Sequence, residues 1–329
     1  MAEHAVLWAA WRRVALLASL SLLAVLEAGA ACAADLIRVG TPSADDFHFS
    51  MANVGVDAGI FKKEGIELQI VALAGGAKLH QAMTAGSLDV ALGAGTDIGL
   101  IAKGAPEKGI GVLATKPSNM VLQASTRSGV ATIAGMKGKK VGVSSVGALT
   151  YWLGQQLIKH EGWGPGGLEL VATGGGQANI AGFVSGNLDG AVTSLESALK
   201  VEEAGQGKIL LTFGDIVNPF IAHITFATNE MIAKRPDAVR RFLAGWYQTV
   251  AFARANKAEA IRYSRPVTGL SAALAEKVYD IEMPTFSSDG RFDPVGLEAV
   301  KQALVDLGQL KQKPETKALV TEAFLPKPM

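Results

Sequence analysis

Cysteine is nearly absent from this chain of 329 residues, because Cys32 is the only one. The rest of the chain therefore has no disulfide, no catalytic thiol and no zinc–thiolate site. An excess of charge of one sign is also missing, since 31 Lys and Arg are balanced by 30 Asp and Glu. This composition lacks the basic surface of a nucleic-acid binder, and we predict no nucleic-acid partner.

The signatures of common enzyme classes are missing as well. His160 is not followed by the second histidine of a zinc-protease helix, and the glycines after Gly93 lack the dinucleotide-binding spacing. Ser144 misses the nucleophile-elbow pattern by one residue. We expect His48 and His80 to approach each other in a cleft, but an isolated histidine is most often structural. We therefore predict no catalytic residue, no metal and no cofactor.

Long hydrophobic runs are limited to residues 14–26, which follow two arginines and precede a stretch of small residues. That order is typical of a secretory signal, and the run is shorter than the ~20 residues that span a bilayer. We predict a signal peptide over residues 1–33, cleaved after Ala30 or Ala33. Cleavage before Cys32 would instead leave a cysteine for a lipid anchor, our second choice, because the leucine usual three residues before such a cysteine is absent.

The strongest signal that is present is an internal repeat. GGAKLHQAMTAGSLDVA at 75–91 matches GGGQANIAGFVSGNLDGA at 174–191 at an offset of 100 residues, with six identities. A glycine pair lets the backbone turn after a strand, a helix follows, and Gly86 or Gly186 ends that helix. The repeat predicts two α/β lobes of similar build, in which ligands bind at the C-terminal ends of the strands.

The periodicity changes along the chain. Apolar alternation predicts strands at 36–40 and 140–143, and a first helix near 51–58. After residue 225 the pattern becomes helical, with Pro236 in the first turn of a long helix. Five residues have the spacing of one buried face of this helix: Val239, Phe242, Leu243, Trp246 and Val250. Further helices are predicted at about 257–263, 271–281, 294–307 and 316–323. We expect this tail to pack on the first lobe.

Three motifs in this order carry a resemblance to a known family. They are AGIFKKEGIELQIV, then GG…AGSLDVALG, then MKGKKVGVSSVG followed by the second repeat copy with SGNLDGAVT. The chain resembles the periplasmic solute-binding proteins of ABC importers, in the SsuA/THI5-like branch that handles nitrate, sulfonates, taurine and thiamine-type pyrimidine precursors. The resemblance covers roughly residues 36–265.

The resemblance implies a type II-like periplasmic binding fold, with two α/β lobes that close around a small-molecule solute. Lobe one would comprise 35–120 plus 222–329, and lobe two 121–221. The chain would cross between lobes near 117–122 and 218–224. The partners implied are the solute and an ABC permease in the inner membrane, and the protein would be a periplasmic monomer.

The predicted ligand site lies on loops at strand ends and at helix N-termini. Backbone N–H groups of Ala77, Gly147 and Gln177 would hold an anionic head group, helped by the helix dipoles. The complete predicted set is Asp46, Phe47, His48, Gly76, Ala77, Gly95, Thr96, Ser144, Ser145, Gly147, Gly176, Gln177 and Glu196.

The sign of the ligand's charge stays open at this point. Asp46 and Glu196 in a cleft disfavour an anion and favour an amine or a protonated heterocycle, unless they face water or cap helices. Ser144 and Ser145 are equally typical of helix N-caps, and Phe47 either stacks on a planar solute or fills the lobe. Sulfonate-like and aminopyrimidine-like solutes are both consistent with these residues.

Two other functions fit the same fold. Some relatives are enzymes that act on small ring compounds in the cytoplasm, against which the export signal argues. A ligand-sensing partner of a membrane receptor would use the same closure. Release of the ligand unchanged distinguishes a binding protein from an enzyme.

Overall fold

The computed structural model describes residues 34–327 except 74, 147 and 175, and it gives only the backbone of 176 and 177. The predicted signal peptide and Cys32 lie outside the described residues. From Leu36 onward the chain forms one compact unit. Within the described part, none of the helices has the length and apolarity to cross a membrane.

Ten strands and thirteen α-helices make up the described fold. The strands are β1 (Asp35–Thr41), β2 (Ile66–Ala72), β3 (Val90–Ala94), β4 (Glu107–Ala114), β5 (Met120–Ser125), β6 (Lys140–Val143), β7 (Glu169–Ala172), β8 (Gly190–Ser194), β9 (Gly207–Thr212) and β10 (His223–Thr228). The helices are α1 (Phe47–Asp57), α2 (Ile60–Lys63), α3 (Gly76–Thr84), α4 (Ile98–Ala102), α5 (Leu149–His160), α6 (Gly176–Ser185), α7 (Leu195–Glu203), α8 (Asn229–Lys234), α9 (Pro236–Ala255), α10 (Lys257–Thr268), α11 (Ala272–Glu282), α12 (Pro294–Asp306) and α13 (Thr316–Leu319).

The strands form two five-stranded mixed sheets, which confirms the two-lobed α/β fold. The first has the order β2-β1-β3-β10-β4, and the second has the order β7-β6-β8-β5-β9. In the first sheet β3 is parallel to β1 and antiparallel to β10, and in the second sheet β8 is parallel to β6 and antiparallel to β5. The sheets thus have the same plan, and the chain passes between them at 115–119 and 213–222. We keep 35–120 plus 222–329 and 121–221 as proposed lobe boundaries.

The internal repeat is confirmed by identical local contacts. The backbone N–H of Arg38 donates to the Asp89 carboxylate at 2.8 Å, and that of Lys140 donates to Asp189 at 2.9 Å. Each aspartate therefore ties the start of its strand to the neighbouring parallel strand. The leucine before it packs closely on a strand glycine, where an added Cβ would clash with its side chain.

The helical tail packs on the first sheet, as predicted, with α9, α10 and α11 in one core cluster and α12 and α13 in another. The five apolar residues of α9 are all fully buried, together with Tyr247 at 7% exposure. This face joins a core with Phe47, Met51 and Val54 of α1. The tail therefore holds α1, and with it the loop after β1, in a fixed position.

Three predicted helix boundaries are wrong, and the first is the end of α10, which runs to Thr268 rather than to residue 263 and stops before Gly269, with φ of +64°. α1 begins at Phe47 rather than near residue 51, because an Asp46 carboxylate oxygen accepts the His48 N–H and caps the helix. α13 ends at Leu319 rather than at residue 323, because Val320 is extended and bridges to Gly109. In α1 a helix cap sets the start of the helix, and in α13 pairing with a distant residue sets its end, so the apolar spacing alone predicted neither boundary.

Candidate functional site

An open cleft lies between the two sheets, at the C-terminal ends of their parallel strands. Its volume is about 610 Å³. Lobe-one segments supply Pro42, Gly75, Gly76, Ala77, Ala94, Thr96, Asp97, Leu100, Lys103 and Gln309, and lobe-two segments supply Ser144, Ser145, Val146, Ala148, Leu149 and Gly174. Both halves of the molecule therefore contribute a wall.

Two helices begin in the walls of this cleft with no side-chain cap. The residue before α3 is Gly75, with φ of +91°, a conformation that glycine adopts without strain. The residue before α5 is Ala148, which has no side chain able to cap. The first-turn N–H groups of a helix lack intrahelical partners and carry partial positive charge. The open cleft thus offers backbone donors from both lobes.

A buried ion triad lies under the floor of the cleft. His80 Nδ1 is 2.7 Å from Glu107 Oε1, and its Nε2 is 3.0 Å from Asp97 Oδ2. Burial alone would lower the pKa of His80, but the hydrogen bonds and charges of Asp97 and Glu107 outweigh it and raise this pKa to about 10. His80 is therefore an imidazolium at neutral pH, and its single positive charge is shared between two carboxylates, Asp97 on the cleft wall and the buried Glu107.

The opposite side of the lobe boundary is sealed. Lys200 of α7 forms an ion pair with Asp45 at 3.4 Å and donates to the carbonyl of Thr268 at 2.8 Å. Behind these contacts Glu196 of α7 accepts the N–H of Phe47, the first residue of α1, at 2.7 Å. Helix α7 of the second lobe thus covers the start of α1 in the first.

Five buried ionisable residues meet on this sealed side, and we call them the carboxylate cluster: Asp46, His48, Glu196, His223 and Glu282. His48, Glu196 and Glu282 have no exposed surface, and Asp46 is 7% exposed. Asn119 joins two of them, because its side-chain N–H₂ contacts Asp46 Oδ2 at 3.2 Å and His223 Nε2 at 2.9 Å. In the described part of the chain, no Lys or Arg pairs with these carboxylates.

Burial dominates the titration of the carboxylate cluster. It raises the pKa of Asp46, against the opposing charge of His48, and raises those of Glu196 and Glu282 well above their usual range. The charges of neighbouring carboxylates raise the last two further. Burial lowers the pKa of His48 to about 4 and lowers that of His223 well below its usual range. Both the acids and the bases therefore resist ionisation here.

Comparison with known proteins identifies the family. A family model described as NMT1/THI5 like matches residues 47–260, more than half of the chain. The chain belongs to the NMT1/THI5-like family. This confirms the resemblance drawn from the sequence motifs. No curated protein sequence matches the chain significantly.

Solved structures show the same fold in binding proteins and in an enzyme. The periplasmic aliphatic sulphonate binding protein SsuA from Escherichia coli is 18% identical, with a TM-score of 0.73 over 87% of this chain and 92% of that one. SsuA from Xanthomonas axonopodis, solved bound to MOPS, is 17% identical, with a TM-score of 0.71 over 86% and 97%. A cysteine-to-serine mutant of the desulfurization enzyme DSZB, in complex with biphenyl-2-sulfinic acid, is 16% identical, with a TM-score of 0.66 over 88% and 97%.

The residues predicted for the ligand site fall into three groups in this NMT1/THI5-like chain. Gly76, Ala77, Thr96, Ser144 and Ser145 line the open cleft. Asp46, Phe47, His48 and Glu196 lie instead on the sealed side, buried. Gly147 is outside the described residues, and the structure gives only the backbone of Gly176, which begins α6, and of Gln177. Gly95 is buried against the Ile221 carbonyl.

Some side-chain roles differ from those expected. Phe47 fills the lobe, edge-on to Tyr279 and Phe286 with ring centroids 6.1 Å away in each case. Ser144 does not cap α5, and its hydroxyl instead pairs with Thr150 at 2.8 Å. His48 and His80 were expected to approach each other, but each has its own carboxylate partners.

Sequence reasoning missed Asp97, Lys103 and Gln309 on the cleft wall. Asp97 follows the predicted residue Thr96 directly, so its position after β3 was a usable signal. Lys103 and Gln309 follow helices, so the expectation that ligands bind at the C-terminal ends of strands does not predict them.

Proposed function

We propose that this chain is the extracytoplasmic solute-binding component of an ABC importer. It captures a small organic anion of the sulfonate class in the open cleft as the lobes close, and it delivers this solute to the permease. The observation that carries the proposal is the pair of uncapped helix N-termini, α3 and α5, that begin on opposite walls of one cleft between two lobes. Anions bind at such N-termini through N–H donors and the helix dipole.

The charges around the cleft support an anionic solute. Asp46 and Glu196, which argued for a cation, lie on the sealed side. Asp97 is on the wall, but the imidazolium that lies between Asp97 and Glu107 offsets part of its charge. Lys103 adds an exposed positive charge to the lining. The related SsuA from Xanthomonas axonopodis binds MOPS, a sulfonic acid, which supports the same ligand class here.

The proposed function also implies where the protein is located and which partners it has. We infer a periplasmic protein, exported by a signal peptide over residues 1–33, with a lipid anchor on Cys32 as the second choice. Its partners are the solute and an inner-membrane permease, with no cofactor and no nucleic acid. We propose a monomer, because lobe closure requires that each lobe moves freely.

The test is a melting-temperature panel on the purified protein with alkylsulfonates, taurine, nitrate, aminopyrimidines and aromatic carboxylates. A ligand at 100 times its Kd adds about 2.7 kcal/mol to the free energy of unfolding. We expect the shift from sulfonates. Ala77→Asp places a carboxylate in the first turn of α3, which favours the helix but repels an anion, so affinity falls at least ~10-fold while the ligand-free protein stays folded. Ala77→Asn is the matched neutral control.

No shift with any sulfonate, or full affinity in Ala77→Asp, would contradict the anion-capture proposal. The alternative is an enzyme on this fold, which the DSZB structure favours. Mass spectrometry of the recovered ligand distinguishes the two: a binding protein returns the sulfonate unchanged, whereas a desulfurising enzyme returns a product without its sulfur group.

A further inference from the structure

The orientation of the His48 ring is fixed by its neighbours. Its Nε2 is 2.9 Å from the hydroxyl oxygen of Thr285. That hydroxyl donates its single hydrogen to the backbone carbonyl of Glu282, at 2.7 Å. Thr285 must therefore accept from His48, which places the proton of the neutral ring on Nε2. Nδ1 is left with a lone pair.

This lone pair faces carboxylate oxygens. His48 Nδ1 lies 2.8 Å from Glu282 Oε2 and 3.8 Å from Asp46 Oδ1. The shorter contact is close, but it does not have hydrogen-bond alignment, and both Glu282 oxygens and His48 Nδ1 are buried without a hydrogen-bond partner. Electron-rich atoms that face one another in a buried site need a positive partner, which is either a proton shared between Glu282 and His48 or a metal ion bound to both.

We propose that Asp46, His48 and Glu282 form a binding site for a divalent transition-metal ion of the zinc class. Their ligand atoms all lie within 4.8 Å of one another. Bonds of ~2.0–2.2 Å to zinc hold ligand atoms ~3.0–4.2 Å apart, so the three side chains reach a common ion with small rotations. One imidazole nitrogen with carboxylate oxygens suits zinc and similar ions better than the all-oxygen sites of magnesium and calcium.

The surroundings of the three residues match a metal site in two further respects. The Thr285 hydroxyl holds the far nitrogen of His48, as outer partners hold the tautomer of ligating histidines. Glu196 Oε2 is also buried and unpartnered, and the charges of Glu282 and Asp46 act on this carboxyl. A divalent ion would replace the protons of these carboxyl groups and bind them in their charged form.

Helix α7 controls access to this site. Glu196 of α7 is bonded to the Phe47 N–H at 2.7 Å, and Phe47 lies between the two ligands on α1. The ion therefore enters when the lobes separate, and closure buries it. The site is distinct from the open cleft, whose lining includes none of the three ligands.

Metal binding to the purified full chain tests the proposal. The protein is stripped with a chelator, and Zn²⁺ and Co²⁺ are titrated by calorimetry, with bound metal counted by elemental analysis and Mg²⁺ as the negative control. We expect one Zn²⁺ per chain, and visible absorption bands of Co²⁺ bound to nitrogen and oxygen. Glu282→Gln keeps the shape but removes a ligand charge, so affinity should fall by more than the ~100-fold that outer-shell changes cost.

The matched control is His160→Gln, which removes an exposed histidine that pairs with Glu161 at 3.1 Å. Its Zn²⁺ affinity should equal that of the wild type. Asp46→Asn is a second ligand variant, because asparagine caps helices as well as aspartate does, and circular dichroism verifies the fold. Absence of stoichiometric Zn²⁺ in the wild type overturns the proposal. Equal binding by wild type, Glu282→Gln and Asp46→Asn overturns it too, since it shows only surface binding.

Discussion

The open cleft and the sealed side are built from the same plan and differ in electrostatic character. Thr96 and Glu196 occupy equivalent positions, one hundred residues apart, each two residues after the end of its strand, β3 or β8. Thr96 lines the cleft, whereas Glu196 crosses to the other lobe and bonds to the Phe47 N–H. On the open side the carboxylate of Asp97 has an imidazolium partner, and on the sealed side three carboxylates have none. One repeated scaffold therefore supports two opposite surfaces, and local side chains decide which one forms.

The largest expected difference between the two sides is in packing. Phe47→Ala removes a ring that is 1% exposed and touches two other rings, so the free energy of unfolding should fall by about 3–5 kcal/mol. Val146→Ala in the open cleft is the matched control, because Val146 is 71% exposed and its loss should change stability by less than ~0.5 kcal/mol. Urea unfolding measures both. Similar losses would show that the sealed side is not packed as a core.

The ion triad under the cleft gives the next largest effect. His80→Gln leaves two carboxylates without their cation and should cost about 3 kcal/mol or more near neutral pH. The sign with pH follows from the raised pKa of His80, about 10 when folded. Its stabilisation is complete below the unfolded value of ~6.5 and is lost as pH rises through 10.

Urea unfolding of wild type and His80→Gln at pH 6 and at pH 9.5 tests this prediction. The difference in unfolding free energy should be larger at pH 6. An equal difference at both values would mean that His80 is neutral in the folded protein. Comparing the two proteins at each pH cancels the titration of other groups.

The smallest effect concerns two lysines, one on each side. Lys103→Gln removes an exposed charge from the cleft and should weaken sulfonate binding by up to ~5-fold, corresponding to the ≤ ~1 kcal/mol of exposed ion pairs. Lys200→Gln removes a lysine that is paired with Asp45 outside the cleft lining, and it should leave the ligand contacts unchanged. Titration at two salt concentrations adds a check, because the Lys103 effect should shrink at high salt. If both variants weaken sulfonate binding equally, the overall electrostatic field of the protein attracts the ligand, rather than a charge in the cleft.

Local pattern was sufficient to predict the scaffold but not the lobe boundary. The glycine pair, the helix stop and the Leu-Asp strand start are short-range features, so both repeat copies could be recognised from the sequence. The position of Asp46 and Glu196 depends on how α7 of one lobe meets α1 of the other, a contact between residues 150 positions apart. Glu282 was missed for the same reason, since a carboxylate at the end of a tail helix has no local signal that it reaches the loop after β1.

The order of the strands bears on how the chain assembles. The second sheet uses only the continuous stretch from β5 to β9 and is complete once residue 212 is available. The first sheet needs β10, at 223–228, between β3 and β4, so until then it has a gap with two unpaired edges that invite wrong pairing. The helices that cover α1 come later still. As the chain becomes available from its N-terminus, the lobe that starts second is therefore the first that can finish folding, and the N-terminal segment stays incomplete until β10 follows.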